Sequence, residues 1–117
     1  MDIESVRLYC LSKKGAEESF PFDQDTLVFK VMGKMFACLS LEKARFVILK
    51  CDPEYAIELR EKYNEIEGAF HFNKKYWNQI DYTAGVDEKL IKHLIDHSVE
   101  EVYKKFTKKV KEEYDRL

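Results

Sequence analysis

The sequence predicts an α+β fold: a two-layer arrangement in which an antiparallel sheet carries helices packed on one face. Two observations carry that prediction. Segments rich in β-branched and aromatic residues follow one another through short turns between residues 27 and 50, and other segments place apolar residues at helical spacing. The resulting order of helix, strands, helix, strands, helix suits hairpins better than parallel crossovers. A chain of 117 residues also has the size of one domain with one core. Residues 1–117 therefore read as a single domain, with a charged and potentially helical tail at 107–117.

Asp2 is a suitable N-cap for a first helix over about residues 3–13, with Ile3, Val6, Leu8, Tyr9 and Cys10 as its apolar stripe and Gly15 as its stop. Leu27 to Met32, the turn Gly33-Lys34 and Met35 to Leu41 form a hairpin, and Arg45 to Lys50 extends it as a third strand. Asp52 as cap and Pro53 at the first helical position open a second helix that ends near Asn64. Residues 69–72 and 77–82 read as a further strand pair around Asn73-Lys74-Lys75. Asp87 caps the longest helix, whose Leu90, Ile91, Leu94, Ile95, Val99, Val102 and Phe106 recur at separations of three and four. Leu27, Phe29, Phe46, Ile48, Leu59, Leu94 and Ile95 are the expected core. The strands do not alternate cleanly, since Phe29 and Val31 face one way while Val28 and Met32 face the other. A second apolar sheet face implies a homodimer, a ligand surface or a covering loop.

Composition excludes several classes. Hydrophobic residues at 45% with four Gly and two Pro rule out a disordered or collagen-like chain. No apolar run approaches the roughly 18 residues of a membrane helix, and Met1-Asp2-Ile3-Glu4 lacks the order of a signal peptide. Three Cys without a C-x-x-C argue for free thiols in a reducing cytoplasm rather than a disulfide framework. The net charge of -2 conceals alternation: residues 27–50 hold five basic residues against one acid, a local +4, and residues 69–80 add +2 with no acid. Basic charge thus falls in expected strands and in the tail, while acid falls mostly in expected helices, so opposite layers would give one basic face.

The run His71-Phe72-Asn73-Lys74-Lys75-Tyr76-Trp77-Asn78 is the densest cluster of cationic, hydrogen-bonding and aromatic side chains. Lys suits phosphate, Asn suits base or sugar, and Tyr or Trp suits stacking. The same run also fits a turn with solvated lysines and a Trp at the sheet edge. His93 and His97 have a metal-compatible spacing but lack a third ligand, so His97 is expected to be a packed, hydrogen-bonded boundary residue and His93 a solvent residue. Cys51 precedes a helix start without an identifiable base or oxyanion site and reads as a structural thiol. No phosphate loop, nucleophile elbow or metal set is present, and neither catalysis nor a cofactor is expected.

Five separated strings carry a resemblance. They are Phe20-Pro21-Phe22-Asp23 running into Asp25 to Val31, Gly33-Lys34-Met35-Phe36-Ala37, Lys50-Cys51-Asp52-Pro53-Glu54, His71 to Asn78, and Leu94-Ile95-Asp96-His97-Ser98. In this order, across about residues 3–106, they resemble the MmcQ/YjbR family of small bacterial proteins. The resemblance implies a compact fold akin to the type III secretion chaperones and a "double wing" of β-hairpins that binds DNA. The chain departs from the family pattern at Lys14, Tyr76 and Thr107, and a Thr in place of Pro at 107 allows the last helix to continue into Lys108 to Leu117.

The leading expectation is a non-enzymatic cytoplasmic module that binds nucleic acid, with DNA favoured. Lys30, Lys34, Arg45 and Lys50 would contact phosphates, and Asn73, Lys74, Lys75 and Tyr76 would form a second contact. The alternative is a protein-interaction or chaperone-like homodimer using the second apolar sheet face. An enzyme or small-molecule pocket around His71, Trp77 and His97 is third.

Overall fold

The computed structural model describes residues 1–117. Its elements run α1 (Ile3–Leu11), β1 (Ala16–Ser19), β2 (Thr26–Val31), β3 (Lys34–Ser40), β4 (Phe46–Lys50), α2 (Pro53–Lys62), β5 (Ile66–Gly68), β6 (Trp77–Asp81), α3 (Glu88–Lys104) and α4 (Lys108–Asp115). The strands form one antiparallel six-stranded sheet in the order β1-β2-β3-β4-β6-β5. Val6 and Cys10 of α1, Ala56 and Leu59 of α2, and Ile91, Leu94 and Ile95 of α3 share one core with alternate strand residues such as Phe29, Val47 and Ile80. The helices therefore cover one face, and α4 adds Val110 and Tyr114 at the margin of that core. The α+β reading holds.

The local chemistry of the caps explains the helix starts. Asp2, Asp52 and Asp87 each accept a backbone N–H from the first turn of their helix, and Pro53 occupies a first-turn position of α2 where its missing N–H costs nothing. Between β2 and β3 the two turn residues Met32 and Gly33 have φ of 50° and 78°, the left-handed pair that matches strand twist in a two-residue hairpin.

Four expectations change. Strand β1 was not foreseen, because Ala16-Glu17-Glu18-Ser19 has no β-branched or aromatic residue; it exists through its backbone ladder with β2 and through Glu18, whose carboxylate accepts two hydrogen bonds from Arg7 at 2.6 and 2.9 Å. The strand before β6 is Ile66–Gly68 rather than 69–72, where Phe72 N–H donates to Ala69 C=O and His71 turns the chain at φ 67°. Phe46 and Ile48 leave the expected core, since Val47 and Leu49 point to the helices and strand geometry sends their neighbours to the open face. Finally, α3 does not run on into the tail: it ends at Lys104, and Thr107 caps a separate α4 by accepting Val110 N–H.

A bulge in β3 explains the unclean alternation. Phe29 pairs with Ala37 and Lys30 with Met35, which leaves Phe36 as the extra residue, and both Phe36 and Ala37 join the helix-side core. The regular β3–β4 pairing stops at Ala37 and Leu49. Just beyond it, the buried hydroxyl of Ser98 on α3 donates to Phe36 C=O at 2.5 Å and accepts Lys50 N–H at 2.9 Å. One helical side chain thus satisfies both backbone groups that the bulge frees, and fixes the end of β4 from below.

Candidate nucleic-acid interface

The register assigns each candidate residue a position on the sheet. Across the open face, one row runs from Glu17 through Lys30 to Met35, and on β4 and β6 it continues as Lys50 beside Trp77. The middle row is Ser19, Val28, Cys38, Ile48, Gln79 and Glu67, and of these Val28 and Cys38 are buried, so the face is covered over β2 and β3. Lys30 and Lys50 are half-buried on this open face. Lys34 differs: it pairs with Val31, a helix-side residue, so it lies at the exposed hairpin tip on the other side of the sheet.

The turn Asn73 to Tyr76 adjoins the same end of the sheet, because Cys51 N–H donates to Tyr76 C=O at 2.8 Å. Asn73 shapes it, its side-chain oxygen accepting Lys75 N–H and its carbonyl accepting Tyr76 and Trp77 N–H, each at 3.0 Å. Arg60 of α2 ties the turn down by donating to Lys74 C=O and, at 2.7 Å, to the Asn78 side chain. The Lys75 ammonium lies 5.4 Å from the centre of the Tyr76 ring. Lys34, Lys74 and Lys75 are exposed, and none of Lys30, Lys34, Lys50, Lys74 or Lys75 takes part in an ion pair.

Arg45 does not join this group. It precedes β4, about 17 Å of strand from Lys50, and its Nε donates to Asp81 at 2.7 Å. Burial pushes the Asp81 carboxyl up, but hydrogen bonds from Thr83 and Arg45, with the guanidinium charge, outweigh it and leave the carboxyl below its ordinary value. The positive charge is therefore gathered at one end of the sheet, and the open face as a whole is mixed, with Glu17 opposite Lys30 and Asp81 holding Arg45.

A hollow of ≈ 350 Å³ lies on the open face, and of His71, Trp77 and His97, around which the sequence suggested a pocket, only His71 lines it. Its apolar walls are Phe46, Ile48 and Phe70, and its polar rim is Ser40, Lys43, His71 and Gln79. The spacing of Phe46 and Ile48 contained the signal, since two apolar residues two apart on a strand share a face. Gln79 holds the Phe70 segment over the sheet by accepting Phe70 N–H at 3.2 Å and donating to Glu67 at 2.6 Å.

The other candidates are structural. His97 accepts Asp52 N–H at 3.1 Å, and burial holds its pKa below the ordinary value; His93 is exposed. No three His, Cys, Asp or Glu side chains converge as a metal set. Cys10, Cys38 and Cys51 are free and buried, and burial pushes each thiol up to about 12. No helix is long and apolar enough to cross a membrane.

Comparison with known proteins agrees with the architecture. Residues 11–100 match the YjbR family model. The chain is 30% identical over 102 residues to the uncharacterized protein YjbR of Escherichia coli K12, covering 86% of each chain, and 31% identical over 96 residues to the uncharacterized protein YbdF of Escherichia coli O157:H7, covering 81% of this chain and 79% of that one. Among solved structures, it superposes on the Deinococcus radiodurans protein DR2400, a DUF419 domain, with a TM-score of 0.88 at 34% identity over 97% of this chain and 87% of that one. A Pseudomonas syringae protein gives a TM-score of 0.71 at 25% identity, over 84% of this chain and 96% of the other. With the family model spanning most of its length and its fold reproduced in DR2400, the chain belongs to the YjbR family.

Proposed function

We propose that the protein is a non-enzymatic nucleic-acid-binding module that engages phosphates at the lysine-bearing end of its sheet. One observation carries the reading: in a chain of net charge -2, Lys30, Lys50, Lys74 and Lys75 lie at that end of the sheet, with Lys34 at the hairpin tip on its opposite side, and none is neutralised by an ion pair. Such an array binds a polyanion by releasing its counterions. Asn73 and Tyr76 contribute sugar or base contacts beside these lysines. Arg45 is left out of this end, because its charge is committed to Asp81.

The test is a salt-dependent titration against DNA, RNA and a non-nucleic polyanion. On double-stranded DNA, Lys74→Ala with Lys75→Ala should lower the salt slope by about two at most, whereas Lys108→Ala with Lys109→Ala, the same charge change in the tail, should leave binding largely intact. If the tail pair abolishes binding and the turn pair does not, the assignment to the sheet end is wrong. Absence of affinity for any nucleic acid at low salt removes the reading altogether. A second reading, a chaperone-like homodimer, is favoured by the apolar residues on or beside the open face, where Phe70 is 66% exposed and Phe46 and Ile48 are half-buried. Sedimentation across a concentration series tests it, and a monomer throughout would eliminate it.

A further inference from the structure

Phe46 and Phe70 present aromatic side chains to the same hollow, and a cation accompanies each ring. Arg45 Cζ lies 4.9 Å from the centre of Phe46, and Lys74 Nζ lies 5.5 Å from the centre of Phe70. Ile48 completes the apolar wall, while Lys43 and His71 stand exposed at the rim with no ion-pair partner. The volume of ≈ 350 Å³ is at the small end of the range for small-molecule sites, about 300 to 1,000 Å³. The polar groups within are each engaged, since both ends of the Gln79 amide and the Ser40 hydroxyl are hydrogen-bonded within the protein. The hollow thus suits a planar, apolar body that carries its negative charge outside, towards cations at the rim.

The segment that forms one wall also belongs to the lysine-bearing turn. Phe70 and His71 lead directly into Asn73-Lys74-Lys75, and the Lys74 stem is held against Gly68, where an added Cβ would lie 2.9 Å from it. A strand with a phosphate on Lys74 would pass the mouth of the hollow, because the Lys74 ammonium stands over the Phe70 ring. Resting on the nucleic-acid reading above, we propose that this hollow accepts one unstacked base of a single strand, placed against Phe46 and Phe70, with the adjoining phosphates on Lys43 and Lys74. A base in a duplex can reach such a hollow only by leaving its stack, at a cost of a few kcal/mol. The protein therefore prefers single strands.

The experiment measures fluorescence anisotropy with three probes at equal salt: a short oligothymidylate, an abasic oligonucleotide of the same length, and a duplex. The oligothymidylate should bind about tenfold or more tightly than the abasic strand, since stacking of one base on an aromatic side chain is a substantial, sequence-tolerant contribution. Phe70→Ala should remove that difference, so that base-bearing and abasic strands bind that variant equally, and Phe70→Tyr, which keeps the ring, should retain it. Lys43→Ala should weaken both strands alike. Equal affinity for base-bearing and abasic strands, or a Phe70→Ala protein that still distinguishes them, overturns the inference and spares the nucleic-acid reading. Failure of all three probes to bind overturns both.

Discussion

Two buried hydroxyl groups of this protein have opposite energetic signs. Ser98 is fully buried, and its hydroxyl serves the backbone of both Phe36 and Lys50. Ser98→Ala leaves those groups without a partner and should cost at least about 2 kcal/mol of unfolding free energy, read by urea denaturation. The Tyr82 hydroxyl is buried with no hydrogen-bond partner, so Tyr82→Phe should leave stability unchanged or raise it. A loss above about 1 kcal/mol at Tyr82 would mean that the hydroxyl has an unrecognised acceptor. His97 supplies a pH dependence. Burial keeps its folded-state pKa below 6.5, so as pH falls the unfolded chain takes up its proton first. Its contribution is therefore intact above about pH 6.5 and declines from there as pH drops through the folded-state value. The denaturation midpoint of the native protein should fall more between about pH 7.5 and 5 than that of His97→Gln, which does not titrate. The role of His97 was legible in sequence, because the boundary of an amphipathic helix is computable. Those of Ser98 and Tyr82 were not, as the first depends on backbone that distant strands leave unpaired and the second on the packing that encloses its hydroxyl.

At the scale of elements, the hairpin between β2 and β3 isolates a purely conformational effect. Gly33 has φ 78°, and a Cβ there would meet nothing within 4 Å. Gly33→Ala should cost about 1 to 2 kcal/mol from left-handed backbone alone, measured by thermal or chemical unfolding, and a neutral result would argue that the turn is built differently. Short-range chemistry made the helix caps and the glycine of this turn readable, since Gly33, Asp2, Asp52 and Asp87 act on groups within a few residues of themselves, although the turn is Met32-Gly33 rather than the expected Gly33-Lys34. Pairing across the sheet was less readable. Glu17 and Glu18 become strand residues only because β2 offers them a ladder, and the alternating aromatics Phe70 and Phe72 imitate a strand inside a turn-rich connection. The bulge at Phe36 shifts parity in β3, while in β4 the assignment of Phe46 and Ile48 rests on a one-residue phase that apolar neighbours on both sides left ambiguous.

Over the whole molecule, burial makes the thiols chemically quiet. All three cysteines are buried with pKa values pushed up to about 12, so a thiol-reactive dye near neutral pH should label the native protein slowly and titrate three thiols after denaturation. Prompt labelling of the folded state would show that one of them opens. The lysine-bearing end of the sheet was partly legible, because charge accumulates in segments that the fold then brings together. Arg45 stands apart from the others at the start of the strand that Lys50 ends, which the sequence did show; what it could not show is the Asp81 carboxylate that Arg45 finds there.

The two outermost strands also govern how copies of the protein can associate. β5 offers only Ile66–Gly68 as an edge, and β1 presents Ala16-Glu17-Glu18-Ser19, with Glu17 and Ser19 exposed and Glu18 held by Arg7. Neither offers the long, flat, apolar margin on which strand addition propagates. Lateral growth of the sheet into a continuous ribbon is thereby disfavoured at both margins. Self-association, where it occurs, is steered to faces, where a twofold arrangement closes on itself and stops at two copies. A protein with a partly apolar sheet surface is in this way guarded against growing into a fibre through its strand edges.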